Sequence, residues 1–79
     1  MDHQVTVYST PTCPWCHAVK RYLDERGIPY TDIDVAADYA AALDMIRKSG
    51  QQGVPVVEID GEIVVGFDRA RIDALLGLA

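Results

Sequence analysis

The beginning of the chain places one helix between two short strands, and this order constrains the fold more than any other feature. The β-branched run QVTVY, residues 4–8, predicts the first strand. Pro14 stands where a helix can begin, because the first helical turn needs no hydrogen bond from that position. Gly27 and Pro29 end the helix, and PYTDIDV, residues 29–35, predicts the second strand. Since a strand, a helix and a strand in succession form a βαβ unit, the two strands are expected to be parallel.

Apolar residues at helical spacing predict which side of each helix is buried. In the first helix Val19, Tyr22 and Leu23 form such a face. A second helix is predicted over residues 38–49, and the loop SGQQGVP follows it. This second helix is expected to bury three apolar side chains, namely Tyr39, Leu43 and Ile46.

The end of the chain predicts a β-hairpin and a last helix. VVEID and EIVV, residues 56–60 and 62–65, are strand-like, and Asp60-Gly61 between them is a strong signal for a tight hairpin turn. Asp68 can cap the last helix. That helix is expected to turn three apolar side chains inward, namely Ile72, Leu75 and Leu76.

The order βαβ-α-ββ-α predicts an α/β fold, with a mixed four-stranded sheet flanked by three helices. We expect a single domain spanning residues 1–79. Apolar residues make up 49% of the 79 residues, so the chain can bury one core without metals or several disulfides. The cysteines are therefore not needed for stability.

The formal net charge of −5 argues against nucleic acid and against anionic membrane surfaces as partners, because both require a basic face. The N-terminal residues carry neither a cationic start nor a long apolar segment, so no secretory signal is expected. No apolar run approaches the length of a membrane span. We therefore expect a monomer in the cytoplasm.

Cys13 and Cys16 are the two cysteines of the chain. Because cytoplasmic thiols are kept reduced, such a pair is typical of catalysis or metal binding rather than of a structural disulfide. Cys13 lies at the predicted helix N-terminus, where free N–H groups and the helix dipole stabilise a thiolate. Cys13 can attack a substrate disulfide, and Cys16 can then attack the mixed disulfide and release the reduced substrate.

Three other interpretations of the cysteines remain open. A structural disulfide across so short a loop contributes only about 2 kcal/mol. A zinc site within one chain needs four ligands, and His17 and His3 are the remaining good donors. An iron–sulfur cluster shared between two chains would use the same cysteines.

Three motifs make the sequence resemble the dithiol glutaredoxins along essentially its whole length. CPWC, residues 13–16, opens the first helix after the first strand. GVPVV, residues 53–57, opens the third strand, and IDGEIVVGFD, residues 59–68, gives the family's hairpin and the glycine before its last helix. The resemblance implies the thioredoxin fold and a thiol–disulfide oxidoreductase without a metal or an organic cofactor, for which glutathione is a possible co-substrate.

By position, the resemblance makes Cys13 the nucleophile and Cys16 the resolving thiol. It makes Pro55 a cis-proline facing Cys13, while Val54 offers its backbone to an extended peptide or to glutathione. Trp15 would flank the cleft. The substrate-binding residues expected on this basis are Thr12, Trp15, Val54, Pro55, Gly66, Phe67 and Asp68.

The sequence also departs from the common glutaredoxin pattern. Thr10 and Pro11 stand where a lysine often pairs with a glutathione carboxylate, and Gly53 replaces a frequent threonine. At Phe67 the sequence resembles instead the small glutaredoxin-like redoxins that are reduced by thioredoxin reductase. The expected partners are disulfide-containing proteins, with either glutathione or a thioredoxin reductase as reductant. An iron–sulfur or metal-binding module, or a binding module with incidental thiols, are the alternatives.

A few further polar residues have simpler interpretations. His17 is expected to be an exposed helix residue that could modulate Cys16. Arg47 and Lys48 are expected to be solvated at a helix C-terminus, where cations suit the dipole. Asp32 and Asp34 alternate along a strand and are expected on its wet face.

Overall fold

The computed structural model describes residues 3–78 of the chain. The elements are β1 (Val5–Ser9), α1 (Pro14–Glu25), β2 (Thr31–Asp34), α2 (Tyr39–Ser49), β3 (Val56–Ile59), β4 (Glu62–Val65) and α3 (Arg69–Leu76). The strands form one sheet in the order β2-β1-β3-β4, in which β1 is parallel to β2 and antiparallel to β3, and β4 is antiparallel to β3. The predicted mixed sheet with three helices is therefore confirmed. No helix among the described residues is long and apolar enough to cross a membrane.

The two faces of the sheet carry separate core clusters. Val7 pairs with Val57 and Tyr8 pairs with Val56 across β1 and β3. Because successive strand residues point to opposite faces, Val7 lies toward α1 and α3, whereas Tyr8 lies toward α2. The larger cluster contains Val7 and Val57, and the smaller one contains Tyr8, Met45 and Val56. The first face supports the helix that carries the cysteines.

Helix α1 begins and ends as the sequence predicts. Pro14 is its first residue and Cys13 its N-cap, and Gly27 follows the helix with a φ of 70°. Val19 and Leu23 are fully buried against the sheet. Since α1 begins just after the C-terminal end of β1, its N-terminus is fixed at that edge of the sheet.

The predicted buried face of α2 is wrong for Tyr39 and Leu43, whereas Ile46 packs in part on the core as expected. Tyr39 is 78% exposed and Leu43 is 49% exposed, whereas Met45 is buried on Tyr8 and Val56. The spacing of the large apolar residues alone therefore missed Met45, which is the buried residue of this helix.

Lys48 is half-buried and paired, rather than free in solvent as expected. Its Nζ lies 3.1 Å from the hydroxyl of Tyr8, 2.9 Å from Oε1 of Glu58 and 3.1 Å from a carboxylate oxygen of Asp44. The bond to Glu58, followed by those to Tyr8 and Asp44, raises the pKa of Lys48. Arg47 remains exposed and pairs with Asp44. Lys48 therefore ties α2 to the sheet.

The hairpin and the last helix agree with the predictions. Asp60 and Gly61 have φ values of 51° and 88°, as a tight turn with two left-handed residues requires. The Asp68 side chain caps α3 by accepting the backbone N–H of Arg71 at 3.2 Å. The inward side chains are Ile72 and Leu76, which are buried, and Leu75, which packs on the core in part.

Candidate active site

Cys13 lies at the N-cap of α1 with its sulfur directed at the helix end. Its Sγ accepts the backbone N–H of Cys16 at 3.1 Å, and as a thiol it can donate to the carbonyl oxygen of Val54 at 3.8 Å. The carbonyl oxygen of Thr10 accepts the N–H of Cys13 at 3.4 Å and closes the preceding turn. The sulfur of Cys13 therefore faces an N–H donor at the positive end of the helix.

Cys16 occupies a different environment three residues later. Its side chain is fully buried, whereas Cys13 is half-buried, and both are free thiols. Burial, followed by the hydrogen bond with Cys13, raises the pKa of Cys16 to about 11. Cys16 therefore stays protonated at neutral pH, and Cys13 is the thiol that a substrate can reach.

A shallow cleft of about 280 Å³ is lined by Trp15, Val54, Pro55, Gly66 and Phe67. The bond between Val54 and Pro55 is cis, which confirms that expectation. The N–H of Gly66 donates to the carbonyl oxygen of Pro55 at 2.8 Å and joins the two sides of the cleft. Trp15 is 66% exposed at its rim, so its indole is available for contact.

Phe67 is supported from below by the core. Its ring packs against Tyr22 with centroids 5.6 Å apart and an interplanar angle of 52°. Tyr22 in turn hydrogen-bonds Asp73 on α3. Since the ring is held on its inner side, Phe67 forms a fixed apolar wall of the cleft.

Two residues expected in the binding site lie outside this cleft. Thr12 is exposed in the turn ahead of Cys13, and Asp68 is exposed at the N-terminus of α3, where its side chain serves the cap. The other five expected binding residues line the cleft together. The structure thus brings most of the predicted site into one place.

His17 is exposed on α1, as the sequence predicts. Its Nε2 donates to the carbonyl oxygen of Pro11 at 2.9 Å and fastens the turn that precedes Cys13. Within residues 3–78 no group of three or more His, Cys, Asp or Glu side chains is placed to hold a metal ion.

Sequence reasoning missed a polar cluster beside the cysteines, formed by Ser9, Lys20 and Asp32. Asp32 is exposed, as expected, but its carboxylate also accepts the hydroxyl of buried Ser9 at 2.6 Å and the ammonium of Lys20 at 3.0 Å. Burial opposes the charge on Asp32, but the bonds from Ser9 and Lys20 prevail and lower its pKa. Asp34 accepts the N–H of Ala36 at 2.9 Å in the following turn.

The spacing of Lys20 on α1 could have revealed this cluster. Lys20 follows Cys16 by four residues, so the two side chains share one side of the helix. A lysine at that spacing looks like a solvated residue unless the acidic partner on the neighbouring strand is recognised.

The family model for glutaredoxins matches residues 5–64 of the chain. A glutaredoxin-like 8.6 kDa protein in the rubredoxin operon of Clostridium pasteurianum is 49% identical over 72 residues, which cover 91% of this chain and 96% of that protein. A crystal structure of a variant of the thioredoxin-like protein BC3987 has a TM-score of 0.90 at 34% identity, with 96% of this chain and 97% of that chain covered.

A second solved structure is that of NrdH-redoxin from Escherichia coli, a glutaredoxin-like protein with a thioredoxin-like activity profile. It has a TM-score of 0.77 at 32% identity, and the match covers 96% of this chain and 95% of that chain. Family membership indicates thiol–disulfide oxidoreductase chemistry in general, which agrees with the two unlike thiols at the start of α1. The chain has the thioredoxin fold and belongs to the glutaredoxin family.

Proposed function

We propose that the protein is a thiol–disulfide oxidoreductase that reduces disulfides in other proteins through Cys13 and Cys16. The observation that carries this proposal is the asymmetry of the pair. Cys13 is reachable, and its sulfur accepts the N–H of Cys16 at 3.1 Å, whereas Cys16 is fully buried. One thiol is suited to attack an incoming disulfide, and the other is kept from solvent until the first has reacted.

The reaction then has two balanced steps. The thiolate of Cys13 attacks one sulfur of the substrate disulfide, a mixed disulfide forms, and the other substrate sulfur leaves with the bonding electrons and takes up a proton. Cys16 loses its proton and attacks Cys13, so that the Cys13–Cys16 bond forms and the second substrate sulfur leaves as a thiol. The substrate disulfide is reduced, and the dithiol of the protein is oxidised.

The cleft favours an extended segment of a protein substrate. Trp15 and Phe67 give it apolar walls, and the carbonyl oxygen of Val54 lies 3.8 Å from the attacking sulfur. Backbone pairing with Val54 would align a segment of any sequence, while the two aromatic rings would contact its side chains. Such a site recognises exposed disulfides flanked by apolar residues.

Two observations favour thioredoxin reductase over glutathione as the electron donor. The residues that line the cleft carry no cationic side chain to meet the carboxylates of glutathione. The thioredoxin-like activity profile stated for NrdH-redoxin belongs to a relative that is 32% identical over nearly the whole chain. Glutathione is the second candidate, because the family model is that of glutaredoxins.

A disulfide-reductase assay with two electron sources tests the proposal. One arm supplies thioredoxin reductase and NADPH, and the other supplies glutathione, glutathione reductase and NADPH. We expect turnover in the first arm, and Cys13→Ser serves as the inactive control. Turnover only with glutathione would overturn the proposed donor. Inactivity in both arms would reject the function and would favour the metal-carrying module, which visible absorption after anaerobic purification would reveal.

A further inference from the structure

The resolving step requires a thiolate on a residue that the fold encloses. Cys16 is fully buried, and burial is the largest cause that raises its pKa. The inference below rests on the proposed function, because it concerns the second of the two steps. A nearby positive charge would lower the cost of removing the proton from Cys16.

Lys20 is placed to supply that charge. It lies four residues after Cys16 on α1, where side chains are neighbours with Cβ atoms about 5–6 Å apart. Its side chain is only 17% exposed, and its Nζ is held 3.0 Å from Oδ2 of Asp32. A lysine that is free in solvent samples many rotamers, whereas the ion pair with Asp32 restricts this side chain.

Asp32, which binds Lys20, is itself connected to the turn that precedes Cys13. The other carboxylate oxygen of Asp32 accepts the hydroxyl of Ser9 at 2.6 Å, and Ser9 is 2% exposed at the end of β1. The next residue, Thr10, accepts the N–H of Cys13 through its carbonyl oxygen at 3.4 Å. A chain of contacts therefore runs from the turn before Cys13, through Asp32, to the lysine one helical turn after Cys16.

Few other charges bear on Cys16. His17 on α1 is turned to the carbonyl oxygen of Pro11, and Asp34 on β2 accepts the N–H of Ala36. Val7 and Val57, which face α1 from β1 and β3, are uncharged. Against burial and the hydrogen bond with Cys13, a backbone hydrogen bond at Thr10 lowers the pKa of Cys16, and the charge of Lys20 adds a smaller contribution in the same direction. The remaining titratable neighbour is Cys13, which is part of the mixed disulfide when Cys16 reacts and then carries no charge.

We propose that Lys20, fixed by Asp32 and Ser9, is a positioning residue for the resolving step. Its ammonium stabilises the thiolate of Cys16 while the Cys13–substrate bond is replaced by the Cys13–Cys16 bond. Asp32 keeps the ammonium next to the thiol rather than acting on the sulfur itself. Lys20 takes no part in the first attack, which Cys13 makes at the other end of the first helical turn.

Stopped-flow oxidation of the reduced protein by dithiobis(nitrobenzoate) separates the two steps. Attack by Cys13 releases a first coloured thiolate at a rate that depends on reagent concentration. Attack by Cys16 on the mixed disulfide then releases a second coloured thiolate at a rate that is independent of reagent concentration. The Lys20→Met variant keeps most of the side-chain volume and removes the charge. We expect its second phase to slow roughly tenfold at pH 7, and the pH profile of that phase to move up by roughly one unit.

The first phase of Lys20→Met is expected to remain within about twofold of the wild type, since a charge near Cys16 does not change which sulfur attacks first. The matched control is Arg21→Met, which removes the same charge from an exposed neighbouring position and should leave both phases unchanged. Lys20→Arg keeps the cation and should restore most of the second-phase rate.

Three results would overturn the assignment. They are an unchanged second phase in Lys20→Met, equal slowing of both phases, and a Lys20→Arg variant as slow as Lys20→Met, which would place the effect in packing rather than charge. The Cys16→Ser variant separates this inference from the proposed function, because it should show the first phase alone. If the first phase is missing there as well, the proposed function fails and the role of Lys20 fails with it.

Discussion

Raising the pH should destabilise the reduced protein through Cys16 in particular. Burial, followed by the hydrogen bond with Cys13, raises the pKa of Cys16 from 9.0 to about 11. The folded state therefore holds this proton more tightly than the unfolded chain does. The stability that the neutral thiol contributes is fully present below the unfolded pKa and is lost as the pH rises through the window between the two values.

The size of the effect follows from the width of that window. A shift of about two units corresponds to at most about 3 kcal/mol of unfolding free energy. Between pH 8 and pH 10 the expected loss is about 1.4 kcal/mol, because one full unit of the window has then been crossed. Tyrosines and lysines also titrate in this range, so the absolute stability of the wild type is not the quantity to compare.

The comparison is between the wild type and Cys16→Ala. Urea unfolding of both reduced proteins, followed under argon from pH 7 to pH 10, gives the difference in their unfolding free energies. The cavity left by the substitution costs the same at every pH, so a change in the difference belongs to the thiol. We expect the advantage of the wild type to shrink by about 1.4 kcal/mol above pH 8. Parallel pH curves would refute the claim that the fold keeps Cys16 neutral.

Three further predictions concern the cleft and its frame. Trp15→Ala should leave the unfolding free energy within about 0.5 kcal/mol of the wild-type value, but it should raise KM for a protein disulfide roughly fivefold through lost aromatic contact. An unchanged KM would show that the indole does not contact the substrate. Asp68→Ala should cost about 1 kcal/mol in urea unfolding through loss of the cap of α3 and leave KM unchanged, whereas a raised KM would return Asp68 to the substrate site. Gly61→Ala should cost about 1 kcal/mol or more, because its φ of 88° suits glycine, and equal stability would contradict the turn geometry.

Local signals explain why most of the fold could be predicted from the sequence. Pro14 starts α1 and Gly27 follows its end because both residues restrict the backbone directly. Asp60 and Gly61 make the hairpin turn for the same reason. Such signals act within a few residues, so they do not depend on tertiary packing.

The face of α2 could not be predicted in this way. Tyr39 and Leu43 satisfy helical periodicity, yet they lie on the outer side, because Met45 fits the space over Tyr8 and Val56. Periodicity identifies a side of the helix, but the shape of the sheet beneath decides which side approaches it.

In the candidate site, too, local motifs could be predicted from the sequence but long-range contacts could not. The cysteines and Pro55 are recognisable by motif, whereas the contact between Lys20 and Asp32 joins a helix to a strand twelve residues away. The alternation of Asp32 along β2 predicted its exposure correctly, but the sequence does not show that its carboxylate also reaches Lys20 on α1. Long-range ion pairs of this kind require the fold itself.

Trapping of the mixed disulfide distinguishes the attacking thiol from the resolving thiol. The Cys16→Ser and Cys13→Ser variants are incubated with the same disulfide-containing protein, and the products are separated under non-reducing conditions. We expect Cys16→Ser to accumulate a covalent complex that dithiothreitol releases, and Cys13→Ser to form none. A complex formed by Cys13→Ser and absent from Cys16→Ser would reverse the roles of the two thiols and contradict the account.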